Sequence, residues 1–298
     1  MRKLKHLLLQ QLIVALAFTF SVTAVGADAV NRGFFWEVKG GEKPLYLLGS
    51  IHFAAANFYP FADHVEAAFT EADQLVVEVD ISNIDPIALQ AQVFEMGTYT
   101  PPESLADHVS PATLAKLKKY LHSNNLPVDN FLRQKPGLIV MTITSLELAK
   151  QGLNPNQGVD LYFLQKAFNQ KAIKQLESFQ EQFAVLLADE YGESMLSQTL
   201  DETASYDQLV YDLVTIWRHG DIERLHELLI TEPLTRYPES RAAFDALFTD
   251  RNIKMLEKIT GYLSEPTSHF VVIGAGHMIG KDGIVEGLRA QGFEVIRR

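Results

Sequence analysis

The chain has 298 residues, 47% apolar and 21% charged, a composition that excludes intrinsic disorder and leaves room for one large or two modest cores. Its formal net charge of -11 opposes binding to nucleic acid and to anionic lipid. Cysteine is absent, so disulfides, thiol catalysis and thiolate ligands are excluded. Any metal ion must be held by His, Asp, Glu and other oxygen donors.

The N-terminus places Arg2, Lys3 and Lys5 before LLLQQLIVALAFTFSVTAVGA, with no acid before Asp28. This order of charged, apolar and small residues predicts a signal peptide over residues 1–27, with Val25 and Ala27 before the cut. Gln10 and Gln11 interrupt the apolar run, and the remainder, Leu12 to Ala27, falls short of the about 20 residues that span a bilayer. Cleavage would remove three cations and no anions, taking the formal charge from -11 to -14. The expectation is an exported protein, periplasmic or secreted, with no stable membrane span after cleavage, an uncleaved N-terminal anchor being the alternative.

From residue 34, FFWEVKG, a Gly-Gly turn at 40 and 41, and PLYLLGSI predict a β-hairpin whose second strand is nearly all apolar and therefore central. A helix follows from about Ala62 to Ala72, then the strand QLVVEVD at 74 to 80, a unit sized for a parallel crossover. The stretch from about 85 to 265 is mostly helical by period. Asp85-Pro86 and Ser110-Pro111 read as N-cap and first-turn pairs, and Pro136-Gly137 opens another apolar helix. One strand-like piece, AIKQLES at 172 to 178, interrupts it, and helices resume over Glu193 to Gly220, Asp221 to Ile230, Pro238 to Phe248 and Arg251 to Leu263. The C-terminus returns to HFVVIGAG as a strand, a helix from about Asp282 to Ala290 and a closing strand FEVIRR. These elements predict a single α/β domain over 28–298, a central mixed sheet with a large, mostly helical insertion or lobe.

Two apolar strands end in the same way. LYLLGSIHFA gives Gly49-Ser50-Ile51-His52, and FVVIGAGHMIG gives Gly274-Ala275-Gly276-His277. Ligands of open α/β sheets bind outside the carboxyl ends of the strands, where both histidines fall. Glu78 lies within LVVEVD, where period-2 alternation sets Val76, Glu78 and Asp80 on one face. A buried carboxylate needs a cation, a metal or hydrogen-bond donors. Two imidazoles and a carboxylate suit a divalent ion with open positions, although each histidine alone would also serve as a hydrogen-bonded turn residue. A dinucleotide loop is excluded because the third glycine of G-x-G-x-x-G would fall at Ile279 and only 18 residues follow Gly280. G-x-S-x-G and H-E-x-x-H are both missing.

LYLLGSIHFAAANFYP, LVVEVD, the stretch from GVDLYFLQKA to LES, DRNIKML, and FVVIGAGHMIGKDGIVEGLRAQGFEVIRR, in this order, resemble the TraB/GumN family, to which the Tiki metalloproteases are related. The resemblance runs from about Phe34 to Arg298 and is most specific at the two Gly-x-x-His motifs. It implies a metal-dependent site on His52, His277 and Glu78, with Glu177 at the family's Gly-Leu-Glu piece and Arg251-Asn252 at its Arg-Asn pair. Gln175 replaces the glycine of that piece, and Ser50 stands where Thr is frequent. The resulting expectation is a peptidase-like hydrolase dependent on manganese, cobalt or zinc. His52 and His277 would hold the ion, Glu78 and Glu177 would divide ligation and proton transfer, and Arg251 would stabilise an oxyanion or bind a substrate carboxylate. Its substrate would be a peptide or small molecule. Glu177 and Arg251 could equally form an ion pair between sheet and lobe, and a non-catalytic module binding haem or a metal is the alternative.

Overall fold

The computed structural model describes residues 33–81 and 85–298, and the expected signal peptide lies outside the described residues. No helix among the described residues is long and apolar enough to cross a membrane. Six strands form one mixed sheet: β1 (Phe34–Lys39), β2 (Leu45–Ser50), β3 (Gln74–Val77), β4 (Ala172–Gln175), β5 (His269–Gly274) and β6 (Glu294–Arg297). Their order is β4-β3-β5-β2-β1-β6. Strands β4, β3, β5 and β2 run parallel to one another, while β1 pairs antiparallel with both β2 and β6.

The predicted hairpin is β1–β2, with Trp36 opposite Leu47 and Phe34 opposite Gly49. Its partner across the sheet is β5, where Phe270, Val271, Val272 and Ile273 are all fully buried. A strand apolar at successive positions must be covered on both faces, which is why the sequence shows a continuous run there and no alternation. On one face, Phe270 packs with Phe69 of helix α1 (Asp63–Glu71), at a ring-centroid distance of 5.5 Å. Phe163 of a later helix (Val159–Ala167) completes the cluster at 5.0 Å from both rings. Burying side chains of this size contributes about 1.5–3 kcal/mol each.

The segment between α1 and the closing α/β unit is helical as expected, with differences that have physical causes. Helices α2 (Pro86–Met96), α3 (Pro111–Ser123) and α4 (Pro136–Lys150) begin at the anticipated proline pairs, and Asp85 and Ser110 accept from the backbone N–H groups of Ile87 and Thr113. Helix α5 is the Val159–Ala167 segment, and it returns the chain to the sheet before β4. Helix α6 (Phe179–Leu186) follows β4 with a Ser178/Glu181 capping box. The single helix predicted over Glu193 to Gly220 is two, α7 (Asp189–Glu202) and α8 (Tyr206–His219), separated by a tight turn at Thr203–Ser205. Gly220, at φ 67°, closes α8 in the left-handed conformation. Two π turns, Glu227–Thr231 and Asp245–Thr249, interrupt the helices that follow, and a short helical period cannot reveal them. Helix α9 (Asp250–Tyr262) leads to β5, and α10 (Ala275–Met278) and α11 (Ile284–Ala290) precede β6.

Leu105, Leu117, Leu121, Ile139, Ile143 and Leu196 form a cluster of their own, distinct from the sheet core. This is a second core within the helical lobe, whose other helices, α8 and α9 among them, pack on the sheet core through Val210, Trp217, Met255 and Ile259. The lobe is joined to the sheet at the strand ends, where the indole N–H of Trp217 in α8 donates to the Gly49 carbonyl at 2.9 Å.

Candidate active site

The four parallel strands are adjacent and point the same way, so their carboxyl ends collect along one edge. In sheet order, β4 leads to Glu177, β3 to Glu78, β5 to Gly274 and His277, and β2 to His52. All five residues expected from the sequence are thereby placed at this edge, with Arg251 arriving from α9 in the lobe.

Both acid-bearing strands end earlier than expected, β4 at Gln175, two residues before Glu177. Strand β3 ends at Val77, so Glu78 is the first residue past the strand and not an interior member of an alternating face. Its carbonyl still accepts from Leu176 N–H at 3.1 Å and Glu177 N–H at 2.9 Å, which locks the two acid-bearing turns together.

Glu78 is 4% exposed and has three donors. Its Oε1 accepts from Gly274 N–H at 2.6 Å, and its Oε2 from Arg251 Nη2 at 2.8 Å and Gln182 Nε2 at 2.9 Å. Burial alone would raise this carboxyl, but the histidines, Arg251 and the Gly274 amide reverse the effect and hold it at about 2. Near neutral pH His277 is uncharged, so the stabilisation rests on the His52 imidazolium, on Arg251 and on the hydrogen bonds. Glu78 is therefore a carboxylate with one lone-pair direction left on Oε1.

Arg251 is the joint of the site. Its Nε meets both oxygens of Glu177 at 3.0 Å, its Nη2 meets Glu78, and its Nη1 donates to the Leu247 carbonyl at 3.0 Å. The ion pair between sheet and lobe is thus present, and it involves two carboxylates. Three of the five guanidinium N–H groups are engaged in these bonds.

Both imidazoles are fixed through Nδ1. His277, 4% exposed, has its Nδ1 2.6 Å from Asn252 Oδ1, and Asn252 Nδ2 donates to the Asp282 carbonyl at 2.8 Å. That second bond sets the amide orientation, so His277 Nδ1 is the donor and Nε2 carries the lone pair, 4.0 Å from Glu78 Oε1. Burial pushes His277 down to about 4, which leaves it neutral near pH 7. His52 Nδ1 donates to Asp160 Oδ2 at 2.8 Å, and Ser50 Oγ donates to Asp160 Oδ1 at 2.8 Å. Asp160 pushes the His52 imidazole up to about 9. Its side chain is 59% exposed, so water screens this pair.

Two glycines lie against the site. A Cβ at Gly274 would stand 3.2 Å from Glu78 Oε1, 3.5 Å from His277 Cδ2 and 4.0 Å from His52 Nε2, so the three side chains converge on this glycine, where an added methyl would press on the carboxylate and touch both imidazoles. A Cβ at Gly158 would lie 2.4 Å from the His52 carbonyl, and its absence lets α5 bring Asp160 against His52.

The sequence alone points to no role for Asp160, Gln182 or the Ser50 hydroxyl. Asp160 lies in the GVDLYF piece that carries the resemblance, but an acid in the first turn of a helix has an ordinary explanation in the helix dipole. Gln182 gives no signal at all.

The donor chemistry suits a divalent ion: two imidazoles with Nδ1 tied to an acceptor, as ligating histidines usually are, beside an ionised carboxylate. Among the described residues, however, no group of three His, Cys, Asp or Glu side chains forms a ready metal site. What stands at the strand ends is an oriented, partly open donor set.

The TraB/PrgY/gumN family model matches residues 34–297. The chain is 26% identical over 252 residues to Uncharacterized protein YbaP of Escherichia coli (strain K12), covering 84% of this chain and 89% of that protein. It is 23% identical over 317 residues to Metalloprotease TIKI1 of Danio rerio, covering 89% of this chain and 63% of the relative. For Metalloprotease TIKI1 of Homo sapiens the figures are 22% over 321 residues, 89% and 61%. No solved structure gives a significant match. With the match spanning both Gly-x-x-His motifs, the buried glutamate and the arginine that joins sheet to lobe, the chain belongs to the TraB/PrgY/gumN family.

Proposed function

We propose that this protein is an exported, divalent-metal-dependent hydrolase that cleaves peptide bonds. The observation that carries the reading is the fixing of both imidazoles through Nδ1, which leaves His277 Nε2 facing an ionised Glu78 and His52 Nε2 on the open side. The metalloprotease names of the two vertebrate relatives support it. His277 would hold the ion through Nε2 and Glu78 through Oε1, and His52 through Nε2 once the ion displaces the second proton that Asp160 favours on this imidazole, with manganese, cobalt or zinc all compatible with the donors. When bound, the ion supplies Lewis acidity toward a carbonyl and a water.

The chain's own residues take the remaining roles. Glu78, held at about 2, is too weak a base to draw a proton near neutrality and acts as an anionic anchor. Glu177 is then the carboxylate for proton transfer, positioned by Arg251 Nε. The uncommitted guanidinium N–H groups of Arg251 are the donors for developing charge on a substrate oxygen. Asp160 and Asn252 position the two imidazoles. A haem module is the weaker reading, because an ionised carboxylate beside the histidine serves a divalent ion and has no role at haem iron.

The test is turnover of an unmodified peptide pool by the protein loaded with manganese, cobalt or zinc, followed by mass spectrometry, beside Glu78→Gln. Cleavage in the wild type and a loss of at least about 100-fold in the variant are expected for removal of a charged group at the reacting centre. An intact pool with every metal, or equal cleavage by both proteins, overturns the proposal.

A further inference from the structure

Beside the site, the helical lobe holds a cavity of about 550 Å³ within the size range of small-molecule pockets. Its walls include Ile230, Leu234, Phe244, Phe248 and Ile279. Both π turns contribute to it, the first through Ile230 and Thr231, the second through Phe248 and Thr249. Such turns are rare in helices and recur at functional sites, so two in the wall of one cavity form an observation separate from its volume.

Among the charged side chains of the lining, cations outnumber anions. Arg241 and Lys281 line it against a single lining carboxylate, Asp282, while the hydroxyls of Thr231, Thr235 and Thr249 are engaged with His226, the Thr231 carbonyl and Asp245. The cations have loosely held partners: Arg241 Nη1 is 3.7 Å from Asp245 and Lys281 Nζ 3.8 Å from Asp282, beyond hydrogen-bonding distance, and Lys281 is 91% exposed. An apolar chamber with two available cations selects a molecule having an apolar tail and one anionic head.

We propose that this cavity binds an amphiphilic carboxylate, its alkyl or aromatic tail among the Phe244 and Phe248 side and its carboxylate at Arg241 and Lys281. The site goes beyond the hydrolase reading and does not depend on it. It is nevertheless next to that machinery, because Asn252 and Phe248 are part of its lining: Asn252 bonds His277 Nδ1, and the Phe248 ring lies 5.2 Å from the His277 ring. A bound tail therefore touches the two side chains that hold His277.

The experiment is calorimetric titration of the purified, metal-free protein with octanoate and, separately, with 1-octanol, alongside the imidazole NMR signals of His277. Saturable octanoate binding that shifts the His277 signals is expected, with octanol weaker. The paired charge reversal Arg241→Glu with Lys281→Glu should weaken octanoate by about tenfold or more, the scale of one lost charge-assisted hydrogen bond, while leaving octanol unchanged. Thr235→Trp, which fills the chamber from an exposed position, should abolish both. All three substituted positions are exposed, and thermal melting checks that the variants fold. No octanoate binding, equal affinity for the alcohol, or binding indifferent to Thr235→Trp in a folded variant would overturn the proposal.

Discussion

Arg251 decides whether the site exists, because two buried carboxylates depend on it. Replacing it with Met would leave Glu78 and Glu177 without their shared cation, and breaking a buried pair from one side costs about 3–5 kcal/mol. Chemical denaturation of Arg251→Met should show that loss, and a loss within experimental error would mean the carboxylates find other partners. Asp160 acts at a distance from the reacting atoms. Asp160→Asn keeps the size of the side chain but removes the acceptor pair that orients His52, and should weaken metal binding by about 10- to 100-fold, as for other partners of ligating histidines. Titration against a competing chelator reads this directly, and unchanged affinity would remove Asp160 from the site. His52, His277 and Glu78 are legible in the sequence because each places a polar group where an apolar run should continue or turn. Asp160 and Gln182 are not, since an acid in a first helical turn and an amide on an amphipathic helix look ordinary until the chain folds.

At the scale of elements, the hairpin, the parallel crossover and the closing strand can be read from apolar runs and turn residues, because strand burial leaves a continuous pattern. The sheet order cannot: β5 enters between β2 and β3, a choice made by contacts nearly two hundred residues apart along the chain. The π turns are equally hidden, since one extra residue in a helical turn barely alters an apolar stripe. The contact between α1 and α5 has its own test. Glu66 accepts from Phe61 N–H at 3.0 Å and Tyr162 Oη at 2.7 Å, and pairs with Lys166. Burial would raise the Glu66 carboxyl, but Lys166, Tyr162 and Phe61 lower it below its ordinary value. A depressed folded pKa gives stability that is present above the unfolded value and is lost as pH falls through the folded one. Glu66→Gln should therefore cost about 1 kcal/mol at neutral pH, allowing for solvent at the Lys166 ammonium, and the gap from wild type should close on acidification. A gap that persists in acid would mean the loss is one of packing and not of charge.

Across the whole molecule, the sheet and the lobe contribute different things. The sheet edge supplies His52, Glu78, Glu177 and His277 on four adjacent parallel strand ends, and the lobe supplies the groups that hold them: Gln182, Arg251 and Asn252. Sequence alone suggests a lobe inserted into an α/β domain, and the structure adds the reason for its position, since the buried charges of the strand ends need donors that the sheet does not carry. The remaining requirement is that the two imidazoles act on one ion. Elemental analysis of the purified protein after reconstitution with manganese, cobalt and zinc, beside His52→Ala and His277→Ala, measures this most directly. About one ion per chain is expected in the wild type, lost in both variants. No bound ion, or binding indifferent to both histidines, would contradict that requirement.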